Sequence, residues 1–158
     1  MNVERRNQLL SIVLGIIILV LGYFLYQSIV GPYQEVIERQ QMTERVHHQM
    51  ETIRDVLVRF ERETGDFPPT EGGLDTLVQY LKTDSAMVAM RDSLYRNEMG
   101  QPYNPDSLIY SVRPPHSKFQ YTLNDTLRPP IYLLEDPDTD DKIGDLERTT
   151  LLNAASWE

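Results

Sequence analysis

The chain contains no cysteine, which excludes a disulfide framework, a cysteine-liganded zinc site and a thiol nucleophile. Basic residues are scarce: fifteen Lys and Arg stand against twenty-four Asp and Glu, a formal net charge of −9. A nucleic-acid binder needs a basic footprint to neutralise phosphates, so no nucleic-acid partner is expected. Local catalytic signatures are missing as well, with no GxSxG elbow, P-loop, HExxH or dinucleotide fingerprint. His116, following Pro114 and Pro115, reads as a loop residue. No catalytic residue and no organic cofactor is predicted. A length of 158 residues leaves room for one modest domain and an appendage.

Charge is absent altogether from Leu9 to Val30, where only Ser11, Gln27 and Ser28 are clearly polar. A helix crossing the hydrocarbon core needs about 20 such residues. The run is longer than the roughly 7–15 residues of a signal-peptide core, and no small-x-small cleavage site follows it. Tyr23, Phe24 and Tyr26 supply an aromatic belt. Residues 9–30 are therefore expected to be a retained transmembrane helix in contact with the lipid bilayer. Arg5 and Arg6 precede it, and the next basic residue is Arg39. The positive-inside rule then makes residues 1–8 a cytoplasmic stub and exports everything after Gly31, giving a bacterial inner-membrane protein with a periplasmic C-terminal domain. Ser11, Gly15 and Gly22 fall on one face, where small residues permit close helix approach, although glycine is common in spanning helices generally.

Glycine and proline are absent from Tyr33 to Thr64, and Glu, Gln, Arg and Met dominate, all good helix formers. Residues 31–64 are predicted to form a stalk helix, with a kink or a restart at Gly31-Pro32. Val46, Met50, Ile53, Leu57 and Phe60 make one apolar stripe at 4-3-4-3 spacing, widened by Val56. Two heptads are too few for a coiled coil, so the stripe is expected to pack on its own domain. His47 and His48, flanked by Glu44 and Glu51, point to different faces and read as solvated helix surface.

Residues 65–134 are predicted to be a small α+β domain. Thr64-Gly65 ends the stalk, with Gly65 available for a left-handed cap. Leu74, Leu77, Val78 and Leu81 define the buried face of a helix, and Asp84 or Ser85 can cap a shorter one through Met87, Val88, Met90 and Leu94. Asn97–Pro105 reads as a loop. Strands are expected at Ser107–Val112, Lys118–Leu123 and Pro130–Leu134, the last two joined as an antiparallel hairpin through Asn124-Asp125-Thr126. Pro114-Pro115 and Pro129-Pro130 are expected to protect the sheet edges. Helices first and strands after give an α+β fold: transmembrane helix, long stalk helix, short helices and a small antiparallel β-sheet.

Residues 135–158 hold eight acidic and two basic side chains and are expected to form an acidic loop followed by a helix over Asp145–Trp157. Asp136, Asp138, Asp140 and Glu147 occupy positions 1, 3, 5 and 12 of an EF-hand spacing, with Lys142 offering its backbone carbonyl at position 7. Alternate oxygens of this kind wrap a hard cation, which makes calcium the candidate metal. Asp141 stands at position 6, where glycine makes the usual sharp turn. The alternative is a solvated acidic tail.

The segment Gly65-Asp66-Phe67-Pro68-Pro69-Thr70-Glu71-Gly72-Gly73-Leu74-Asp75-Thr76-Leu77-Val78 resembles the stretch after the long N-terminal helix of type II secretion major pseudopilins. The layout is similar too: apolar helix, amphipathic continuation, turn, small sheet and an acidic C-terminal loop near a Trp, here Trp157. The prepilin cleavage motif is missing, since Met1–Leu10 holds no leader glycine and the apolar block holds no Glu. The chain also resembles uncharacterised single-span envelope proteins of Bacteroidota. These features together predict a non-enzymatic bitopic protein, a structural or assembly subunit of an envelope complex, with a secretion complex as one candidate. Other membrane or envelope proteins are its expected partners, in an oligomer or hetero-complex. A pseudopilin-like filament subunit and a calcium-responsive periplasmic binding module are the alternatives.

Overall fold

Good helix formers and a long run without strand-like alternation produce one dominant helix. In the computed structural model, which describes residues 3–90, 100 and 103–158, α1 is assigned over Val3–Thr64. Gly31-Pro32, expected to kink or restart the helix, lies inside that assignment, so the helix does not restart there. A single proline forfeits one backbone hydrogen bond, a cost that a long helix can absorb. The chain divides into two compact units, residues 1–41 and 42–158.

In the first unit every described side chain from residue 4 to residue 29 is exposed. Its large apolar residues, from Leu9 to Ile29, have no protein to pack against. The helix holds a stretch long and apolar enough to cross a membrane, and none of that stretch is buried.

The second unit has its own core. Val46, Met50, Ile53, Val56 and Leu57 of α1 are all buried, so the stripe packs within its own domain. Phe60 extends it by an edge-on contact with Tyr80, ring centroids 5.2 Å apart. The helix stops at Gly65, whose positive φ of 92° is easy only without a Cβ. Its N–H bonds the carbonyl of Glu61 at 2.7 Å. Two short helices follow, α2 over Gly73–Thr83 and α3 over Ser85–Met90. The expected apolar face of α2 is the buried one, with Leu74, Leu77, Val78 and Leu81 turned inward. Asp84 caps α3 by accepting the Met87 N–H at 2.9 Å. Leu94 and most of the expected loop 97–105 lie outside the described residues.

The strand expected at Ser107–Val112 is not formed. Instead α4 spans Pro105–Leu108, with Pro105 in its first turn and Asn104 as N-cap, accepting the Asp106 N–H at 3.1 Å. Asn-Pro is a helix-start signal, and it overrides the short apolar alternation that follows. Only an isolated bridge, Tyr110 to Lys118, remains of the strand.

Three antiparallel strands complete the fold: β1 over Gln120–Asn124, β2 over Ile131–Glu135 and β3 over Lys142–Gly144, in the order β1-β2-β3. Tyr121 pairs with Leu134 and Leu133 with Gly144. The β1–β2 hairpin is present as expected, its turn organised by Asn124, whose Oδ1 accepts the Thr126 N–H at 3.1 Å. Other groups engage both edge strands. The Thr70 hydroxyl accepts the Leu123 N–H on the β1 side. On the β3 side residues 154–156 return, with Gly144 N–H bonded to the Ala154 carbonyl and Ser156 N–H to that of Lys142, each at 2.9 Å.

Residues 135–158 thus keep an acidic turn at 136–141, but β3 and the segment that returns beside it stand where only a loop and helix were expected. Only a 3-10 turn, Thr149–Leu151, appears where the helix was expected. The Asp145 carboxylate takes the N–H groups of Glu147 and Arg148, both at 2.8 Å. A short acidic side chain that bonds neighbouring amides in this way competes with helix formation.

One polar side chain joins α1 to the loop region after α4. Gln49, 1% exposed, donates through Nε2 to the carbonyls of Leu108 and Tyr110 at 2.8 Å and of Ser107 at 3.3 Å. Its Oε1 accepts the Val112 N–H at 3.1 Å. Gln49→Glu removes the donor and faces three carbonyls with a carboxylate. We expect that variant to lose roughly 3 kcal/mol or more, and Gln49→Leu about 2–3 kcal/mol, in denaturant melts of the full chain in mild detergent.

Candidate functional site: the acidic turn and its anchors

The turn between β2 and β3 holds most of the candidate metal ligands. Asp136 N–H bonds the Asp141 carbonyl at 3.0 Å, closing the turn. Asp138 N–H donates to Asp136 Oδ1 at 3.1 Å. The remaining oxygen of Asp136, Oδ2, faces the Arg113 guanidinium at 3.3 Å. This carboxylate is 1% exposed, and a buried charge persists only when paired and hydrogen-bonded. Arg113 in turn donates to the Thr43 hydroxyl of α1 at 3.2 Å. The pair therefore fastens the acidic turn to the long helix.

A second anchor runs beside it. His47 Nε2 lies 3.2 Å from Asp141 Oδ2, though without the alignment of a hydrogen bond. The imidazole stacks flat on Trp157, centroids 3.8 Å apart and planes 4° from parallel. His47 is accordingly not solvated helix surface, and its side chain is 18% exposed. The Thr139 hydroxyl donates to the same Asp141 oxygen at 3.0 Å. The carboxylate, not the imidazole, receives the hydroxyl proton, so His47 is not placed as a base toward Thr139.

A cavity of about 320 Å³ opens against this turn, lined by Gln120, Glu135, Asp136, Pro137, Thr139, Asp140, Asp141 and Lys142. Asp136, Asp140 and Lys142 of the candidate ligand set share its wall, whereas Asp138 and Glu147 are not on it. Strand β3 occupies positions 7 to 9 of the expected calcium spacing. The Lys142 carbonyl is taken by Ser156 N–H at 2.9 Å. Among the described residues no three His, Cys, Asp or Glu side chains come together as a metal-holding group. What the turn presents is a concave acidic surface whose innermost carboxylates are engaged by Arg113 and His47.

Sequence reasoning missed Arg113, Thr43 and Gln49. Gln49 did carry a signal: it lies three residues after Val46 and four before Ile53, a polar residue on the buried seam. Arg113 carried none, because its partner is distant in sequence.

At the far end of β3 the Asp145 carboxyl is held down to about 2, first by the Glu147 N–H, then by the N–H and guanidinium of Arg148. Compared with family models, with curated proteins and with solved structures, the chain matches none.

Two outcomes follow from these charges. Arg113→Gln strips the buried Asp136 of its cation, and we expect a loss of about 3 kcal/mol in the same melts. Because the folded Asp145 pKa is depressed, its contribution to stability is present above the ordinary carboxyl value near 3.8. That contribution is lost as pH falls through about 2. Carboxyl NMR titration should show this, and Arg148→Ala should raise the Asp145 pKa only part of the way, because both backbone donors remain.

Proposed function

We propose that this chain is a single-span inner-membrane protein whose residues 42–158 lie in the periplasm, acting without catalysis as a structural or assembly subunit of an envelope complex. One observation carries the reading: the first unit exposes an uncharged, predominantly apolar helix surface from Leu9 to Ile29, while the second unit fills a core of its own. A surface of that kind costs free energy in water and none in lipid. Arg5 and Arg6 before the span support a cytoplasmic N-terminus. The acidic cavity supports a role in contact with basic partner surfaces, since its ion pairs and turn hydrogen bonds position charge without setting a base against a nucleophile.

The segment Gly65–Val78 supports a second reading, a pseudopilin-like filament subunit. It forms the helix stop at Gly65, the turn through Pro68 and the start of α2, and it lies between a long helix and a small antiparallel sheet as the resemblance implies. N-terminal sequencing of the mature protein separates the two: a start at Met1 or Asn2 removes the filament reading.

The anchor is tested by fractionation. The full chain should remain in the membrane pellet after alkaline carbonate extraction, and protease should reach a tag placed after Glu158 from the periplasmic side only. Recovery as a soluble protein would overturn the reading. Replacing Arg5 and Arg6 with Glu should weaken or reverse the orientation. Purification in mild detergent should then bring a stoichiometric membrane partner with it.

A further inference from the structure

A second concavity, of about 380 Å³, lies away from the acidic turn and has the opposite character. Arg54, Asp55, Val58, Arg59 and Arg62 line it from one side of α1, and Asn153 lines it from the returning C-terminal segment. Three guanidiniums on one small surface are notable in a chain with a net charge of −9.

Arg54, Arg62 and Asn153 each hold donors here with no acceptor among the described residues. Arg54 uses Nε on Asp55 at 3.1 Å, and its two terminal nitrogens have no acceptor among the described residues. Arg59 has Nε on Glu63 at 3.0 Å. Arg62 makes no hydrogen bond or ion pair among the described residues and is exposed. Asn153 is oriented from behind: its Oδ1 accepts the Tyr132 hydroxyl at 2.8 Å, so its amino group is the free end. Tyr132 is itself fully buried in the central strand, which makes this support rigid. Two acidic side chains, Asp55 and Glu63, offset part of the positive charge, and a net positive excess remains.

We propose that this groove binds an oxyanion of the phosphoryl class. Free donors arrive from three separate side chains, Arg54, Arg62 and Asn153. A planar carboxylate offers two oxygens, whereas a terminal phosphoryl group offers three, spread tetrahedrally, and carries up to two negative charges at neutral pH. Arginine recognises such groups through paired, charge-assisted N–H bonds. The occupant is a free phosphate or the phosphomonoester end of a larger molecule such as a lipid headgroup. The chemistry is the same in both.

The test uses the full chain in a nonionic detergent at low ionic strength. Calorimetry with inorganic phosphate, and separately with a short-chain phosphatidic acid below its micelle concentration, should give saturable binding with at least one probe. Binding of the lipid alone assigns a headgroup, and binding of phosphate alone assigns the free ion. Arg54→Gln and Arg62→Gln should each weaken binding by about tenfold. Arg148→Gln, whose guanidinium pairs with Asp145 elsewhere, should leave it unchanged. Arg62 is exposed and unpaired, so Arg62→Gln should keep the melting temperature and remains informative if Arg54→Gln misfolds. The proposal is overturned if neither probe binds, if Arg62→Gln binds as the parent does, or if Arg148→Gln weakens binding equally.

Discussion

A single buried amide holds the second unit in register. Gln49 sits on the apolar seam of α1 and meets the chain where α4 ends and an irregular segment begins. It pairs the carbonyls of Leu108 and Tyr110 and the N–H of Val112, and adds a second donor to the Ser107 carbonyl, which also accepts the Tyr110 N–H. Burying such groups without partners costs more than a typical hydrogen bond returns. The turn after α4 can therefore lie close to α1 only because this glutamine occupies a position that leucine would fill in an ordinary stripe. Placement of that segment in turn sets Ile109, whose carbonyl accepts the Phe119 N–H, and through Phe119 the entry to β1.

The sheet depends on the same economy of backbone groups. Three short strands leave two edges, and exposed edges invite pairing with other chains. Here a threonine hydroxyl engages one edge and a returning segment the other. Gly144 shows how tight the second closure is: its φ is +88°, and a Cβ there would come within 2.2 Å of the Tyr132 carbonyl oxygen. Gly73 marks the other tight approach, against the Tyr121 ring. That ring is fixed by its hydroxyl on the Pro68 carbonyl. Burial pushes the Tyr121 and Tyr132 phenols well above their ordinary range, so both stay neutral donors at any physiological pH.

Much of this was legible in the residues, and the exceptions share a cause. The α1 stripe, the face of α2, the cap at Asp84, the stop at Gly65 and the β1–β2 hairpin all follow from local periodicity and turn chemistry. The strand expected over Ser107–Val112 failed because Asn104-Pro105 starts a helix that takes up Ser107 and Leu108. The acidic segment failed for a non-local reason. Its carboxylates look solvated when counted along the chain, yet Asp136 meets Arg113 and Asp141 meets His47 across long sequence separations. A long-range charge pair leaves no period in a sequence. The candidate ligands were separated for the same reason, since β3 forms inside their spacing by pairing with a strand that precedes it.

The covering of β3 by residues 154–156 has a temporal side. Those residues are synthesised after the strand they protect, so a nascent chain carries β3 with an open edge until they emerge. Trp157 follows directly and stacks on His47, far earlier in the sequence. Residues 154–157 thus close the sheet and meet the long helix after every other element of this unit has been made, so the unit cannot complete its fold until they emerge. Any partner that holds this segment beforehand would act as a timer on the whole domain.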